Sequence, residues 1–420
     1  MTIKAHTRVL LQWLFFGTLV GVACGVASAA FLLALEQATR FRNEHEWLVY
    51  TLPLAGLLIG AIYHHWGASI RGGNNLVLDT VHEASPQIPL RMSPMVLVGT
   101  VLTHLFGGSA GREGTAVQMG ASLADALAHT LRGGLAVRRQ ILAAGIAGGF
   151  GSVFGTPIAG AVFGLEVVCI GQMEYDALVP ALVSAVVGDW VTRALGVVHS
   201  VYPVVAPLAM TPLLLGKWVV CGLAMAGASI AFIELTHGLK KQLETRITRL
   251  PVRMFVGGCA IVVLWKLVGT SDYLGLGVPT ILGAFTDPAV PTLAFAAKII
   301  FTAVTLSAGF LGGEVTPLFF IGATLGSVLG RALGIPIDMA AGVGLAAVFA
   351  AAANTPLALS IMAVELLGSN VLPHVVIVSV IAYLISGHRG IYPAQRISRA
   401  KSGGDGVKKT GPLRDLAPPE

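Results

Sequence analysis

Few residues of this chain have chemical reach, and most of those sit in apolar surroundings. Glu113 lies in Gly107-Gly-Ser-Ala-Gly-Arg-Glu-Gly114, which runs on as Thr-Ala-Val-Gln-Met-Gly-Ala121. The small residues cannot hold a helix by themselves, whereas the continuation reads as a helix start. A glycine-rich turn entering a helix presents unpaired backbone N–H groups and the positive end of the helix dipole. Such a terminus takes up anions. Glu113 is itself an anion at that terminus: it can fill the site or, once protonated or displaced, leave it to a dissolved ion. A capping glutamate at a small-residue helix contact is the plainer alternative. A second stretch, Gly309-Phe-Leu-Gly-Gly-Glu-Val-Thr-Pro317, has the same character and carries Glu314.

The elements that position these groups must lie in a bilayer. Of 420 residues, 55% are hydrophobic and 11% charged, with a mean hydropathy of +0.79; a soluble domain carries about 25% charged residues. Long apolar runs broken by Gly and Pro point to an all-α integral membrane protein rather than a barrel. The run from Val9 to Leu35 is too long for a secretory signal core and reads as a retained first span. Basic residues near the ends (Lys4, Arg8, Arg396, Arg399, Lys401, Lys408, Lys409) point to cytoplasmic termini, and the chain is expected, multi-pass, in the cell (inner) membrane. They read as topogenic charge rather than a nucleic-acid patch. Cys24, Cys169, Cys221 and Cys259 have no paired spacing, so neither a disulfide framework nor a metal site is implied. No cofactor is expected. A Ser/His/Asp set, a metal cluster and a nucleotide-binding loop are all absent at membrane depth, which argues against an enzyme and against ATP driving. No long cytosolic extension housing a regulatory domain pair is expected.

Further elements follow from pattern. Gly67 to Asp79 reads as a polar break, His237 to Arg253 as the most charged internal loop, and Leu274 to Phe285 as a short broken segment. Many apolar segments are shorter than the roughly 20 residues of a full span. Such segments must line a cavity or be buried in protein, and paired ones in two halves point to a transporter's binding site. The halves do match. Thr156-Pro157-x-Ala159 followed by Glu166 recurs as Thr355-Pro356-x-Ala358 followed by Glu365, and Gly120-Ala-Ser-Leu123 as Gly322-Ala-Thr-Leu325. Gly111 then falls opposite Gly313. Two glycine-rich helix starts at equivalent places favour an ion site over packing alone. The repeats are expected over 9–200 and 205–400, with a cytoplasmic tail over 401–420, disordered from about Ser402. Glu166 and Glu365 read as structural, each holding backbone groups at a helix end.

With both motifs and the repeat in place, the chain resembles the CLC chloride channels and transporters over roughly residues 10–400. Gly111-Arg-Glu-Gly114, with Val117-Gln118-x-Gly120 behind it, resembles that family's G(K/R)EGP element. Gly312-Gly-Glu-Val-Thr-Pro317 resembles its GxFxP element, and Gly390-Ile-Tyr392 its late tyrosine segment. The resemblance implies a homodimer with one ion pathway per subunit. Each subunit would hold two inverted repeats of tilted and broken helices whose N-termini meet near the membrane midplane. Glu113 would be the gating glutamate that couples protons to anion movement, and Tyr392 would donate its hydroxyl to the anion.

Departures from the pattern are informative. Chloride-handling members carry a serine-containing GSGIP-like element where this chain has Gly72-Gly-Asn-Asn-Leu76. Thr115 replaces the usual proline, and Val167 stands where familiar exchangers place an internal proton glutamate. Glu314 and Thr316 stand where apolar residues are usual. This combination resembles the fluoride-exporting branch, an F⁻/H⁺ antiporter. Fluoride is small and hard, so its site should be rich in compact donors. Asn74 and Asn75 offer amide N–H, Thr316 and Tyr392 offer O–H, and Gly111 among the motif glycines offers backbone N–H. Chloride is not excluded by this chemistry, and a chloride/proton exchanger or passive chloride channel of the same fold is the alternative. An ionisable residue within a membrane is a functional candidate by default. Glu314 is thus either a helix cap or the stand-in for the missing internal glutamate, relaying through Thr316. His104 reads as a satisfied helix-end histidine rather than a relay.

Overall fold

Apolar residues alone make a helix only where chain punctuation lets it start and stop, and here proline starts and glycine stops do most of that. The computed structural model describes residues 3–83, 87–131, 134–287, 290–401 and 411–415. In the first half, helices run over Ile3–Glu44 (α1), Leu52–Trp66 (α2), Asn74–Glu83 (α3), Met92–Leu105 (α4), Glu113–Thr130 (α5), Leu135–Phe154 (α6), Pro157–Glu166 (α7) and Leu178–Ala194 (α8). In the second they run over Pro212–Arg246 (α9), Leu250–Val268 (α10), Val278–Thr286 (α11), Ala294–Ala308 (α12), Val315–Leu333 (α13), Ile337–Ala353 (α14), Pro356–Leu367 (α15) and Leu372–Ile385 (α16). Two residues each, Cys169–Ile170 (β1) and Arg396–Ile397 (β2), pair in parallel. Among the described residues, six helices are long and apolar enough to cross a membrane; several others are apolar but shorter. Pro157, Pro212, Pro251, Pro279, Pro356 and Pro373 lie at the first or second position of their helices, where a missing N–H costs nothing.

The two halves are built alike and inverted. α4, α5, α6, α7 and α8 correspond in order to α12, α13, α14, α15 and α16. The halves touch reciprocally, as a local two-fold requires. Glu365, at the end of α15, accepts from Ile158 N and Ala159 N at the start of α7. Glu166, at the end of α7, accepts from Leu357 N and Ala358 N at the start of α15. Both glutamates therefore hold backbone groups at helix ends, but each caps the other repeat's helix. Phe150 of α6 and its counterpart Phe349 of α14 face each other across the same junction, ring centroids 6.4 Å apart. Within each half, backbones approach closely at glycine. A side chain on Gly120 would collide with the carbonyl of Gly145, and one on Gly322 with that of Gly344; small residues permit such contact between membrane helices.

Three sequence expectations change. The polar break at 67–79 is half helix, because α3 begins at Asn74 and carries Asp79, His82 and Glu83. The charged loop at 237–253 is largely the end of α9, which runs unbroken to Arg246. Its Lys, Gln and Glu residues are good helix formers, so charge there marks where the helix leaves the bilayer, not where it stops. The tail expected to be disordered falls at 402–410 and 416–420 outside the described residues, but 411–415 lies against the protein. There Leu413 N donates to Gln395 O at 2.9 Å and Arg414 N to Pro393 O at 2.9 Å.

Candidate functional site

Each glycine motif follows a helix that ends in the left-handed region open to glycine. Gly107 after α4 has φ +91° and Gly309 after α12 has φ +103°. The two chains then meet: Gly111 N donates to Gly313 O at 2.6 Å and Gly313 N to Gly111 O at 2.8 Å, an antiparallel bridge between the repeats. This bridge aims the starts of α5 and α13 at one place. Neither helix has a side chain capping it from its own N-cap residue.

Glu113 fills that place. Its side chain is fully buried. Oε2 accepts from Arg112 N at 3.1 Å and from Thr316 N at 3.1 Å, so one oxygen serves the ends of both helices. Oε1 accepts a short hydrogen bond from the Thr316 hydroxyl and lies 3.5 Å from Arg112 Nε. Two backbone donors, a hydroxyl and a guanidinium around one carboxylate form an anion site, occupied here by the protein's own carboxylate.

Space opens on either side of this plug. A cavity of about 560 Å³ is lined by Asn74, Asn75, Thr115, Glu314 and Tyr392, with Lys240, Arg71 and Arg253 among its polar walls. A cleft of about 890 Å³ is lined by Arg112, Thr39, Arg40 and His199. Arg112 borders one and Thr115 the other; Glu113 and Thr316 line neither.

The sequence candidates fall into distinct positions. Thr316 binds the Glu113 carboxylate. Asn74 and Tyr392 both line the cavity that Glu314 lines, and Asn74 Oδ1 is buried without a partner. Asn75 also lines it, but its Oδ1 accepts from Ala394 N at 2.9 Å, which ties it to the Tyr392 segment. Gly111 spends its N–H on Gly313 O, so in this structure it shapes the site rather than donating into it. Glu314 occupies the N-cap position of α13 yet makes no capping hydrogen bond, and its Oε2 is buried without a partner beside the cavity. Both ring nitrogens of His104 face carbonyl oxygens, of Thr100 at 2.9 Å and Ala110 at 3.0 Å, as a helix-end histidine would. Sequence reasoning passed over Gln118 and Tyr63 as cavity-lining groups. Gln118 could have been found: it lies four residues after Gly114, one helical turn along the same face. The sequence holds no comparable signal for Tyr63.

Comparison with known proteins agrees with this geometry. The family profile described as voltage gated chloride channel matches residues 55–387. A chloride/fluoride channel protein of Pseudomonas syringae pv. tomato is 48% identical over 400 residues, 93% of this chain and 88% of that protein. Voltage-gated ClC-type chloride channel ClcB of Shigella flexneri is 26% identical over 91% of this chain and 90% of its own length. Among solved structures, a CLC-type fluoride/proton antiporter superposes with a TM-score of 0.90 at 36% identity, covering 95% of this chain and all of that one. A slow cyanobacterial Cl⁻/H⁺ antiporter shares the fold, with a TM-score of 0.79 at 19% identity over 89% of this chain and 94% of its own. A helical membrane fold of two inverted repeats, closed at its centre by a glutamate on two helix ends, thus meets a match across most of the sequence: the chain belongs to the voltage gated chloride channel (CLC) family of anion transport proteins.

Proposed function

We propose that this protein is a proton-coupled fluoride exporter, an F⁻/H⁺ antiporter that protects the cell from fluoride. The observation that carries the reading is the seat of Glu113: a buried carboxylate held by donors from both repeats, between two cavities. A halide and this carboxylate compete for the same donors. Protonation removes the side chain's charge and with it most of its hold on the seat, so an arriving proton and a departing anion exchange places. Two features favour fluoride. Asn74, Asn75 and Tyr392 give the cavity a dense set of compact donors, and relatives named for fluoride lie at 48% and 36% identity. Glu314, buried and without a hydrogen-bond partner at Oε2 on the cavity wall, carries the proton between Glu113 and that cavity. The cavity's Lys240, Arg71 and Arg253 support a cytoplasmic opening for it, in keeping with both termini cytoplasmic in the cell (inner) membrane. The protein works as a homodimer, as the family resemblance implies, and as a transporter rather than an enzyme.

The test is ion flux from proteoliposomes with fluoride and chloride electrodes and a pH electrode, comparing wild type with Glu113→Gln. Wild type is expected to release fluoride in preference to chloride while protons move the other way. Glu113→Gln, still folded, is expected to lose proton coupling or to stop turning over. Equal chloride and fluoride flux in the wild type would favour the exchanger or channel alternative. Full coupling in the glutamine variant would remove the mechanism.

A further inference from the structure

We propose that the C-terminal segment 411–415 is a clasp that sets the anion cavity's geometry, with Arg414 as a positioning residue for the Asn74–Tyr392 pair. The inference rests on reading that cavity as the anion pathway. It starts from a stripe on α3. Asn75, Asp79 and Glu83 are four residues apart and share one helix face. All three reach the chain that follows Tyr392. Asn75 Oδ1 accepts from Ala394 N at 2.9 Å. Asp79 takes a bidentate fork from Arg414, Nη1 to Oδ2 at 2.9 Å and Nη2 to Oδ1 at 3.0 Å. Glu83 accepts from Arg396 Nη2 at 2.9 Å.

The far side of the clasp is anchored just as closely. Residues 411–415 run antiparallel to 393–397: Ile397 N donates to Gly411 O at 3.2 Å, Leu413 N to Gln395 O at 2.9 Å and Arg414 N to Pro393 O at 2.9 Å. Leu413 is buried against Ile170 and Ile397. Arg414 therefore bonds through its backbone to the strand leaving Tyr392 and through its side chain to the helix that starts at Asn74.

α3 has a swivel for such a clasp to restrain. It is ten residues long and follows Gly72-Gly73, with Gly73 at φ +55°, where the backbone is freest. Asn74 and Tyr392 both line the cavity. A small rotation of α3 changes the gap between an amide and a phenol that must close on a small ion. Loss of a bidentate contact midway along the helix acts on anion affinity without touching Glu113 or Glu314. The Arg414 and Asp79 side chains are 44% and 25% exposed, so the expected effect is a tuning of affinity and not a collapse of the fold.

The experiment uses the full-length protein in proteoliposomes and reads the half-saturating fluoride concentration, the maximal rate and the proton-to-fluoride ratio. Arg414→Gln is expected to raise half-saturation roughly three- to tenfold, with maximal rate within about twofold and the ratio unchanged. The exchange Asp79→Arg/Arg414→Asp is expected to restore the wild-type value. Wild-type half-saturation in Arg414→Gln, or a charge exchange as defective as the single variant, would overturn the clasp. Should Arg414→Gln not fold, Arg414→Lys, which keeps the charge but loses the fork, gives the same reading. If the wild type carries chloride instead, fluoride specificity fails and the same comparison on chloride still decides the clasp. If the wild type carries neither anion, the pathway reading fails and the clasp with it.

Discussion

A carboxylate that one oxygen binds to the ends of two helices is a better competitor for an anion than one that caps a single helix. Glu113 has that arrangement because Thr316, at the second position of α13, offers both N–H and O–H to it. The Thr316 hydroxyl thus serves the carboxylate in this structure; on the proposed mechanism it passes to the ion when the carboxylate leaves. Glu314 differs in kind. It stands at the same helix end as Thr316, yet its carboxylate turns away from the terminal N–H groups toward the cavity. A capping role would predict loss of stability on substitution. A proton-carrying role predicts loss of coupling. Glu314→Gln keeps the shape and removes the titratable group, so proton flux per fluoride is expected to fall at least about tenfold, with anion flux and thermal stability near wild type. Matched pH and fluoride recordings from the same vesicles would check this, and undiminished proton flux would end the proposed role.

Element-scale features were legible where they repeat. Thr-Pro-x-Ala followed by a glutamate in each half announced α7 and α15, and that Glu166 and Glu365 hold backbone groups. It did not reveal that each caps the other's helix, because a reciprocal contact depends on the two-fold relation between halves and not on either segment. The cross-capping makes a strong joint. Each carboxylate accepts two N–H bonds at a helix N-terminus, and bonds to charged groups contribute more than neutral ones. Glu365→Ala is expected to destabilise the folded protein by about 1–2 kcal/mol and lower its melting temperature by a few degrees. The double change with Glu166→Ala is expected to cost less than the two single losses together, since both joints hold the same pair of helices. Thermal unfolding of the detergent-purified variants would give all three values, and strict additivity would mean the joints act independently. Periodicity and charge were less reliable at the bilayer boundary. Lys240, Lys241 and Glu244 looked like a loop because charge usually leaves the membrane, but α9 carries them out as helix. α3 was hidden for the opposite reason: two glycines and two asparagines at its start resemble a break, and its contacts to Arg396 and Arg414 come from the far end of the chain.

At the scale of the whole molecule, the two repeats form one device, because the seat between them exists only when both are folded and docked. Two glycine motifs and the order of the repeats were enough to place the fold in its family. The bridge between Gly111 and Gly313, which fixes the seat, involves only backbone groups and so leaves no side-chain signature in the sequence. An ion that binds this seat must therefore stabilise the entire fold, by RT ln(1 + [L]/Kd), or about 2.7 kcal/mol at a hundred times Kd. On the proposed mechanism the ion in the wild type has first to displace Glu113, and the population in which the seat is open scales the affinity that is observed. Removing the Glu113 charge by substitution should open the seat. The rise in melting temperature on adding fluoride, at constant ionic strength to fix screening, should therefore be larger in Glu113→Gln, which has no charged competitor, than in the wild type. Thermal unfolding of the two proteins across fluoride and matched gluconate would decide the matter. An equal rise in the two proteins would mean that fluoride binds away from Glu113, and that carboxylate and ion do not share a seat.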